Sequence, residues 1–473
     1  MSMSFFLTAF AALPLLAAAA IVDKSNVCKL DGQPLPKDFV YGCGTSAYQI
    51  EGAWNIDGKG ESIWDNFVHL DKGKYIQNGD TGNVAMDFYH TYKTDIPLFK
   101  HALGINAYDF TVAWTRLLPD GTGTQVNKKG AQFYKDMMKT VHDNGMTASC
   151  TLYHWDLPQA LQTKYKGWLD QQVVKDFENY AEVAMTALGG HCDRWISMNE
   201  PRTFCTEGYG TDIVSAPGYK GTILDQFKCM HHALLAHSAA HKVFKRLHSQ
   251  GKVMGNFGIK IDGGLSLPLD SNSKADLAAV QRAADFEIGW PLAPITTGDY
   301  PSSMRETLGD KLPKFTLEES KDLKNSYDVI WYDGYTRAYA GAIKGKCEES
   351  NEEAAWPTCV NEVTEKDDGK PIGKPTGSDW NFEVSETLYS GLKYMHEYWG
   401  VKALAVGETG LTLRNRSKHS LKWQLYDYDR IDWYRNALKD VKRALKEGLP
   451  LVGFVPWSCI SNFEWSKGFE VSR

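Results

Sequence analysis

Eight short apolar segments, separated by polar or helix-patterned sequence, set the strongest limit on how this chain folds. They span 39–47, 107–114, 147–153, 195–198, 253–261, 328–332, 403–406 and 451–457. Helical patterning fills intervals at 87–103, 130–144, 172–188 and 223–247. Strands buried on both faces read as near-continuous apolar runs, whereas half-exposed strands alternate. Alternating strand and helix signals predict an α/β protein with a parallel sheet, and eight strands predict a single closed (β/α)8 TIM barrel. No composition break or Pro/Ser-rich linker divides the chain, so one barrel domain is expected over 21–473. The sequence stops at Arg473, soon after the eighth strand segment. A last helix is therefore expected to be missing, leaving the apolar exteriors of Phe454, Val455 or their neighbours bare beneath its place.

Residues 1–20 hold an apolar run that ends in small residues, too short for a membrane span. They read as a secretory signal cut near Ala20, which predicts a secreted, extracellular protein. The nine cysteines are an odd number, so at least one thiol stays unpaired within a monomer. Cys347 and Cys359 share one polar, acidic insertion (346–374) and make the best disulfide candidate. Cys43, Cys150 and Cys459 lie in strand-like apolar runs and read as buried thiols. Cys28, Cys192, Cys205 and Cys229 carry no assignment. One glycosylation sequon is present, Asn415-Arg416-Ser417. The net charge is −6 with no Lys/Arg block, which disfavours nucleic acid or an anionic membrane surface as partner.

Two of the eight strand segments end on glutamate. One runs Trp195-Ile196-Ser197-Met198-Asn199-Glu200-Pro201, the other Leu404-Ala405-Val406-Gly407-Glu408-Thr409-Gly410. Carboxylates at the carboxyl ends of two barrel strands face the side where barrel active sites form. Such a pair is the minimal apparatus of glycoside hydrolysis. The chain also carries Phe39-Val40-Tyr41-Gly42-Cys43-Gly44-Thr45-Ser46-Ala47-Tyr48-Gln49-Ile50-Glu51-Gly52-Ala53 and Ser62-Ile63-Trp64-Asp65. Further on come Leu152-Tyr153-His154-Trp155-Asp156-Leu157-Pro158, Ser378-Asp379-Trp380, Trp457-Ser458 and Asn462-Phe463-Glu464-Trp465. Together, in this order, these motifs resemble glycoside hydrolase family 1, the β-glucosidase family, from about Leu35 to the end.

The resemblance implies a retaining β-glycosidase that hydrolyses terminal β-D-glucosyl residues of β-glucosides or short gluco-oligosaccharides, with no metal and no cofactor. Glu200 matches the acid/base and Glu408 the nucleophile, while Tyr335 matches a tyrosine that donates to the nucleophile. Gln49, His154 and Asn199 match residues that hold sugar hydroxyls, the asparagine facing the 2-hydroxyl. Trp155 lies beside them in the same motif and joins the substrate-binding set. Trp457 matches a stacking platform, and Glu464 with Trp465 matches a pair on the outer hydroxyls. Taken singly, His154, Trp155 and Trp457 also fit as satisfied core residues.

Three departures from the family pattern cluster at the nucleophile. Asp109 stands where the family has arginine, Gly407-Glu408-Thr409-Gly410 replaces Thr-Glu-Asn-Gly, and Asp333-Gly334-Tyr335 replaces Asn-Tyr-Tyr. An aspartate at 109 is expected to add like charge beside Glu408, and restoring arginine there is expected to raise activity. Arg116 sits on the wrong face of a regular strand to substitute. Two other readings follow from these departures: an impaired sugar-binding protein with the same pocket, and a transglycosidase. The glycone (glucose, galactose or fucose), the aglycone and the oligomeric state stay open.

Overall fold

The computed structural model describes residues 29–30, 33–36, 38–351, 355–413 and 420–471. The predicted signal segment, Cys28 and the sequon at Asn415 lie outside the described residues. Two units are present. In the first, Lys29–Leu30 pairs antiparallel with Gln33–Pro34. The second begins at Phe39 and holds the rest of the chain.

The second unit is a closed eight-stranded parallel barrel. Its strands are β1 (Val40–Gly44), β2 (Ala107–Thr111), β3 (Thr147–Thr151), β4 (Arg194–Asn199), β5 (Phe257–Asp262), β6 (Val329–Asp333), β7 (Leu404–Glu408) and β8 (Leu451–Phe454). Each pairs with its sequence neighbours, and β8 closes on β1 through Gly453 opposite Val40 and Phe454 opposite Tyr41. Val40, Ala107, Ile196, Val329, Trp331, Ala405 and Val455 pack as one buried cluster contributed by strands around the barrel. Helices predicted from periodicity form as α1 (Phe88–Leu103), α2 (Lys128–Asp143), α3 (Gln172–Leu188) and, after a short helix Pro201–Tyr209, a long one at Ile223–Ser249. The long helix opens with Thr222 and Asp225 as a capping box, which satisfies two of the amide groups a helix start leaves open.

Strand boundaries run shorter than the apolar segments at the carboxyl ends of β1, β2, β3 and β8, because those ends turn into site-forming loops. Phe454 and Val455 are buried, Phe454 stacking on Tyr41, while Val452 is the partly exposed residue of β8. The expectation of bare apolar surface therefore fails at Phe454 and Val455, the latter pointing into the barrel cluster, and is met only at their neighbour Val452. Among the described residues, β8 is followed by loop and a single 3₁₀ turn at Trp465–Lys467.

The thiol reading of Cys43, Cys150 and Cys459 also fails. Cys43 bonds Cys459, Cys150 bonds Cys192, Cys205 bonds Cys229, and Cys347 bonds Cys359 as expected. The Cys43–Cys459 bridge fastens β1 to the loop after β8, across the seam where the barrel closes. Cys205–Cys229 ties the short helix Pro201–Tyr209 to Ile223–Ser249. The insertion at 346–374 contributes Val360–Val363, which pairs antiparallel with Tyr339–Ala342 beyond β6.

Candidate active site

At the carboxyl ends of the strands lies a cavity of ≈ 490 Å³. All ten residues singled out from the sequence line it. Glu200, Glu408 and Tyr335 are there, with Gln49, His154, Trp155, Asn199, Trp457, Glu464 and Trp465.

Local irregularities aim the two glutamates. The β4–β5 register slips between Ile196 and Asn199, and the β7–β6 register slips between Val406 and Glu408. Side chains alternate along a strand, so Ala405 in the barrel core would be followed by Gly407, not Glu408, pointing inward. The bulge re-aims Glu408 toward the cavity, as bulges beside active sites do. Glycine at 407 makes this possible: a Cβ there would lie 2.5 Å from Asp333 Oδ1 and 3.0 Å from Trp331 Cβ. Glu200 sits in the left-handed region at φ 47°, at the start of the helix that Pro201 begins. Strain of this kind persists only where surrounding structure enforces it, and it concentrates at functional sites.

Glu200, Glu408 and Asp333 each bring one carboxylate oxygen within 4.8 Å of the others. Tyr335 donates its hydroxyl to Glu408 Oε2 at 2.8 Å. Lys260 reaches in from β5, its Nζ 3.4 Å from Glu408 Oε1 and 2.9 Å from Asp109 Oδ2. Asp109 is thus ion-paired, and the expectation that it stands as uncompensated like charge beside Glu408 is corrected. Arg116 is engaged elsewhere, 2.8 Å from Glu51 in a buried pair.

Burial dominates the titration of this interior. Burial pushes the Asp109 carboxyl up, against the opposing pull of Lys260. Asp333 is raised well above the carboxylate range by burial and then by the charge of Glu408. Neither of its oxygens has a hydrogen-bond partner among the described residues. Burial would lower the Lys260 ammonium, but Asp109, Glu408 and Asp333 outweigh it and raise it overall. His154 is held well below its ordinary value by burial and then by Lys260, so its imidazole is neutral at pH 7.

The sugar-holding set is built from rigid contacts. The Gln49 amide donates to Phe463 O at 2.8 Å and to Asn462 Oδ1 at 3.0 Å, linking the short helix Ala47–Ile50 after β1 to the loop after β8. Trp155 Nε1 donates to Asn199 O at 3.1 Å. The Trp155 and Trp465 rings stack at 4.7 Å, and the His154 ring stacks on Trp457 at 5.5 Å. His154 Nδ1 and Asn199 Oδ1 are buried without a partner among the described residues. A buried polar atom left unpaired is costly, and both residues line the cavity, where a hydroxyl-rich ligand supplies partners.

These motifs match a known family over nearly the full length. The sequence profile of Glycosyl hydrolase family 1 matches residues 32–472. The chain belongs to glycoside hydrolase family 1. Beta-glucosidase 42 of Arabidopsis thaliana is 35% identical over 96% of this family 1 chain and 90% of its own. Raucaffricine-O-beta-D-glucosidase of Rauvolfia serpentina is 35% identical over 96% of this chain and 89% of its own. Among solved structures, a Humicola insolens family 1 β-glucosidase in complex with glucose superposes with TM-score 0.88 at 33% identity, covering 93% of this chain and 92% of that one. A mutant rice β-glucosidase in a covalent complex with Glc superposes with TM-score 0.87 at 34% identity, covering 93% of each. This family 1 chain is an O-glycosyl hydrolase of the β-glucosidase type, acting on small β-glycosides.

Sequence reasoning missed three features of the cavity. Lys260 is 1% exposed in its side chain, and a lysine inside the apolar run of β5 was the available signal, since buried lysines are almost always paired. Trp380, quoted from the sequence within a motif but given no role, lines the cavity and meets Tyr335 edge-on at 5.7 Å. The Arg202–Asp262 ion pair, joined by Thr203 at 2.8 Å, forms another stretch of wall. No local pattern marks that pair, because its partners come from different strand ends.

Proposed function

We propose that this chain is a retaining β-glycosidase that releases terminal β-D-glucosyl residues from β-glucosides or short gluco-oligosaccharides. The observation that carries this reading is the approach of Glu200 and Glu408, oxygens within 4.8 Å, across the cavity. Retaining enzymes hold their carboxyl groups about 5–5.5 Å apart, whereas inverting ones leave about 6.5–9.5 Å for a water between them.

In the first step Glu408 attacks the anomeric carbon as Glu200 protonates the departing oxygen, and the glycosidic C–O bond breaks. In the second, Glu200 takes a proton from water, which attacks the same carbon and releases Glu408. Tyr335 steadies one oxygen of the nucleophile. Asn199, His154, Gln49 and Glu464 are the hydroxyl-binding groups, and Trp457 lies under the ring. The glucose preference is supported by the names of the relatives and by the glucose bound in the Humicola insolens structure. The covalent rice complex with Glc supports double displacement. We assign the first 20 residues as a secretory signal, on their apolar run ending at Ala20. N-terminal sequencing of protein recovered from culture medium checks that assignment, and an intact Met1 on the recovered chain would reject it.

The decisive experiment is trapping with an activated 2-deoxy-2-fluoro-β-glucoside followed by peptide mapping. A stoichiometric label on Glu408 is expected, and NMR of the turnover of an ordinary β-glucoside should show β-glucose as first product. Label on another residue, or α-glucose first, would refute the mechanism.

A further inference from the structure

We propose that Lys260 is a positioning residue for the nucleophile, supplying from β5 the cation that the family pattern places as arginine on β2, with Asp109 as the anchor of its ammonium. This rests on the assignment of Glu408 as nucleophile. The arginine position holds Asp109, and Arg116 is occupied by Glu51, so neither β2 nor its loop presents a free cation to Glu408. Lys260 is buried inside the barrel and contacts both carboxylates, at 2.9 Å and 3.4 Å. The contact reaches from β5 to β2, three strands away, and to β7 on the other side.

Lysine differs from arginine here in a way that explains the rest of the cluster. An ammonium is a point charge without a planar fork, so it cannot orient a carboxylate by itself. Orientation is divided: Lys260 meets Oε1, and Tyr335 meets Oε2. A flexible four-carbon stem needs a second fixed point, which Asp109 provides. The groups facing this charge come from every side: Asp109 on β2, Asp333 at the end of β6, Glu408 on β7, and His154 after β3. Arg194 at the start of β4 also acts on Asp109 through its charge, and Glu200 acts on Asp333.

The test uses the full chain and three variants: Lys260→Met, Lys260→Arg and the double Asp109→Asn/Lys260→Met. Readouts are the acid limb of kcat/KM on an activated aryl β-glucoside, the rate of trapping by the 2-fluoro glucoside, and thermal melting. The acid limb reports the essential base of the free enzyme. Lys260→Met is expected to move it up by ~1–2 pH units and to slow trapping ~10- to 100-fold, the shift typical of removing an adjacent opposite charge. Lys260→Arg should keep the limb near the wild-type position. The double variant decides between roles and removes the unpaired carboxylate that threatens folding of the single one. If Lys260 serves Glu408, the double variant keeps the raised limb and slow trapping. If Lys260 only neutralises Asp109, the double variant returns to wild-type values and the proposal falls. A folded Lys260→Met with an unmoved limb overturns it too. Failure of the wild-type chain to label at Glu408 would overturn the nucleophile assignment itself. Labelling at Glu408 with unmoved limbs overturns only the role of Lys260.

Discussion

Restoring the family arginine is the perturbation for which sequence and structure give opposite forecasts. From the sequence, Asp109→Arg should raise activity. In the structure, Lys260 Nζ lies 2.9 Å from the Asp109 carboxylate, with both side chains almost wholly buried. The substitution replaces an ion pair by two cations in one enclosed space. At a separation of ~4 Å and an effective dielectric of ~20, their repulsion is ~4 kcal/mol. Loss of the original pair adds to this, since a buried charge stripped of its partner costs several kcal/mol. For a chain of 473 residues, unfolding entropy near ~2 cal/mol/K per residue amounts to ~1 kcal/mol/K, so ~4 kcal/mol lowers Tm by ~4 °C. Scanning calorimetry of the single variant should show that fall, accompanied by lower activity. Asp109→Arg/Lys260→Met keeps one cation in the interior and should regain most of the melting temperature. A single variant that melts with the wild type, or turns over faster, would show that Lys260 is not the charged neighbour of position 109.

Three other outcomes follow from the site and its surroundings. Glu200→Gln should slow poor leaving groups at least ~100-fold more than activated aryl glucosides, because only the former need a proton; equal losses on both would reject Glu200 as the acid. Tyr335→Phe removes a hydrogen bond to a carboxylate worth ~1.5–3 kcal/mol, and should raise the acid limb of kcat/KM by ~1–2 pH units at ~1.4 kcal/mol per unit; an unmoved limb would mean the hydroxyl does not favour the ionised nucleophile. Asp156 is pushed up to about 7 by burial, with Lys59 opposing. A carboxyl raised above its unfolded value gives stability that is full below about pH 4 and fades as pH rises to about 7, on the order of 4 kcal/mol at most. Asp156→Asn should therefore flatten the fall in stability between about pH 4 and pH 7 measured by urea titration, and parallel curves would refute the assignment.

The barrel and both glutamates were readable because they depend on local signals: apolar runs, helical periodicity and carboxylates at strand ends. What escaped depends on which strands meet. Lys260 and Asp109 lie on strands separated by two others, and only barrel closure brings them together. Cys43 and Cys459 look like core thiols in isolation and become a bridge because β8 returns beside β1. The helix Tyr428–Lys446 was passed over because its buried residues are few, Trp433, Ala437, Val441 and Ala444, on an otherwise charged segment. The departures near the nucleophile looked like separate losses in the sequence, yet they fit one another in space. Gly407 leaves room for Asp333, and Lys260 sits between Asp109 and Glu408.

The amide of Gln49 has consequences for how the enzyme is made. Its partners, Asn462 and Phe463, lie 413 and 414 positions further along the chain. A ribosome adds residues in order at roughly 5–20 per second. The glycone side of the pocket therefore has one wall synthesised long before its opposite wall. In the interval between them the nascent barrel holds Gln49 and His154 without Trp457, Glu464 or Trp465. Sugar binding thus waits until the eighth strand and the loop after it dock beside the first. A cell making this glycosidase is spared a partly active intermediate, since both the barrel seam and the grip on the substrate wait for the same stretch of chain.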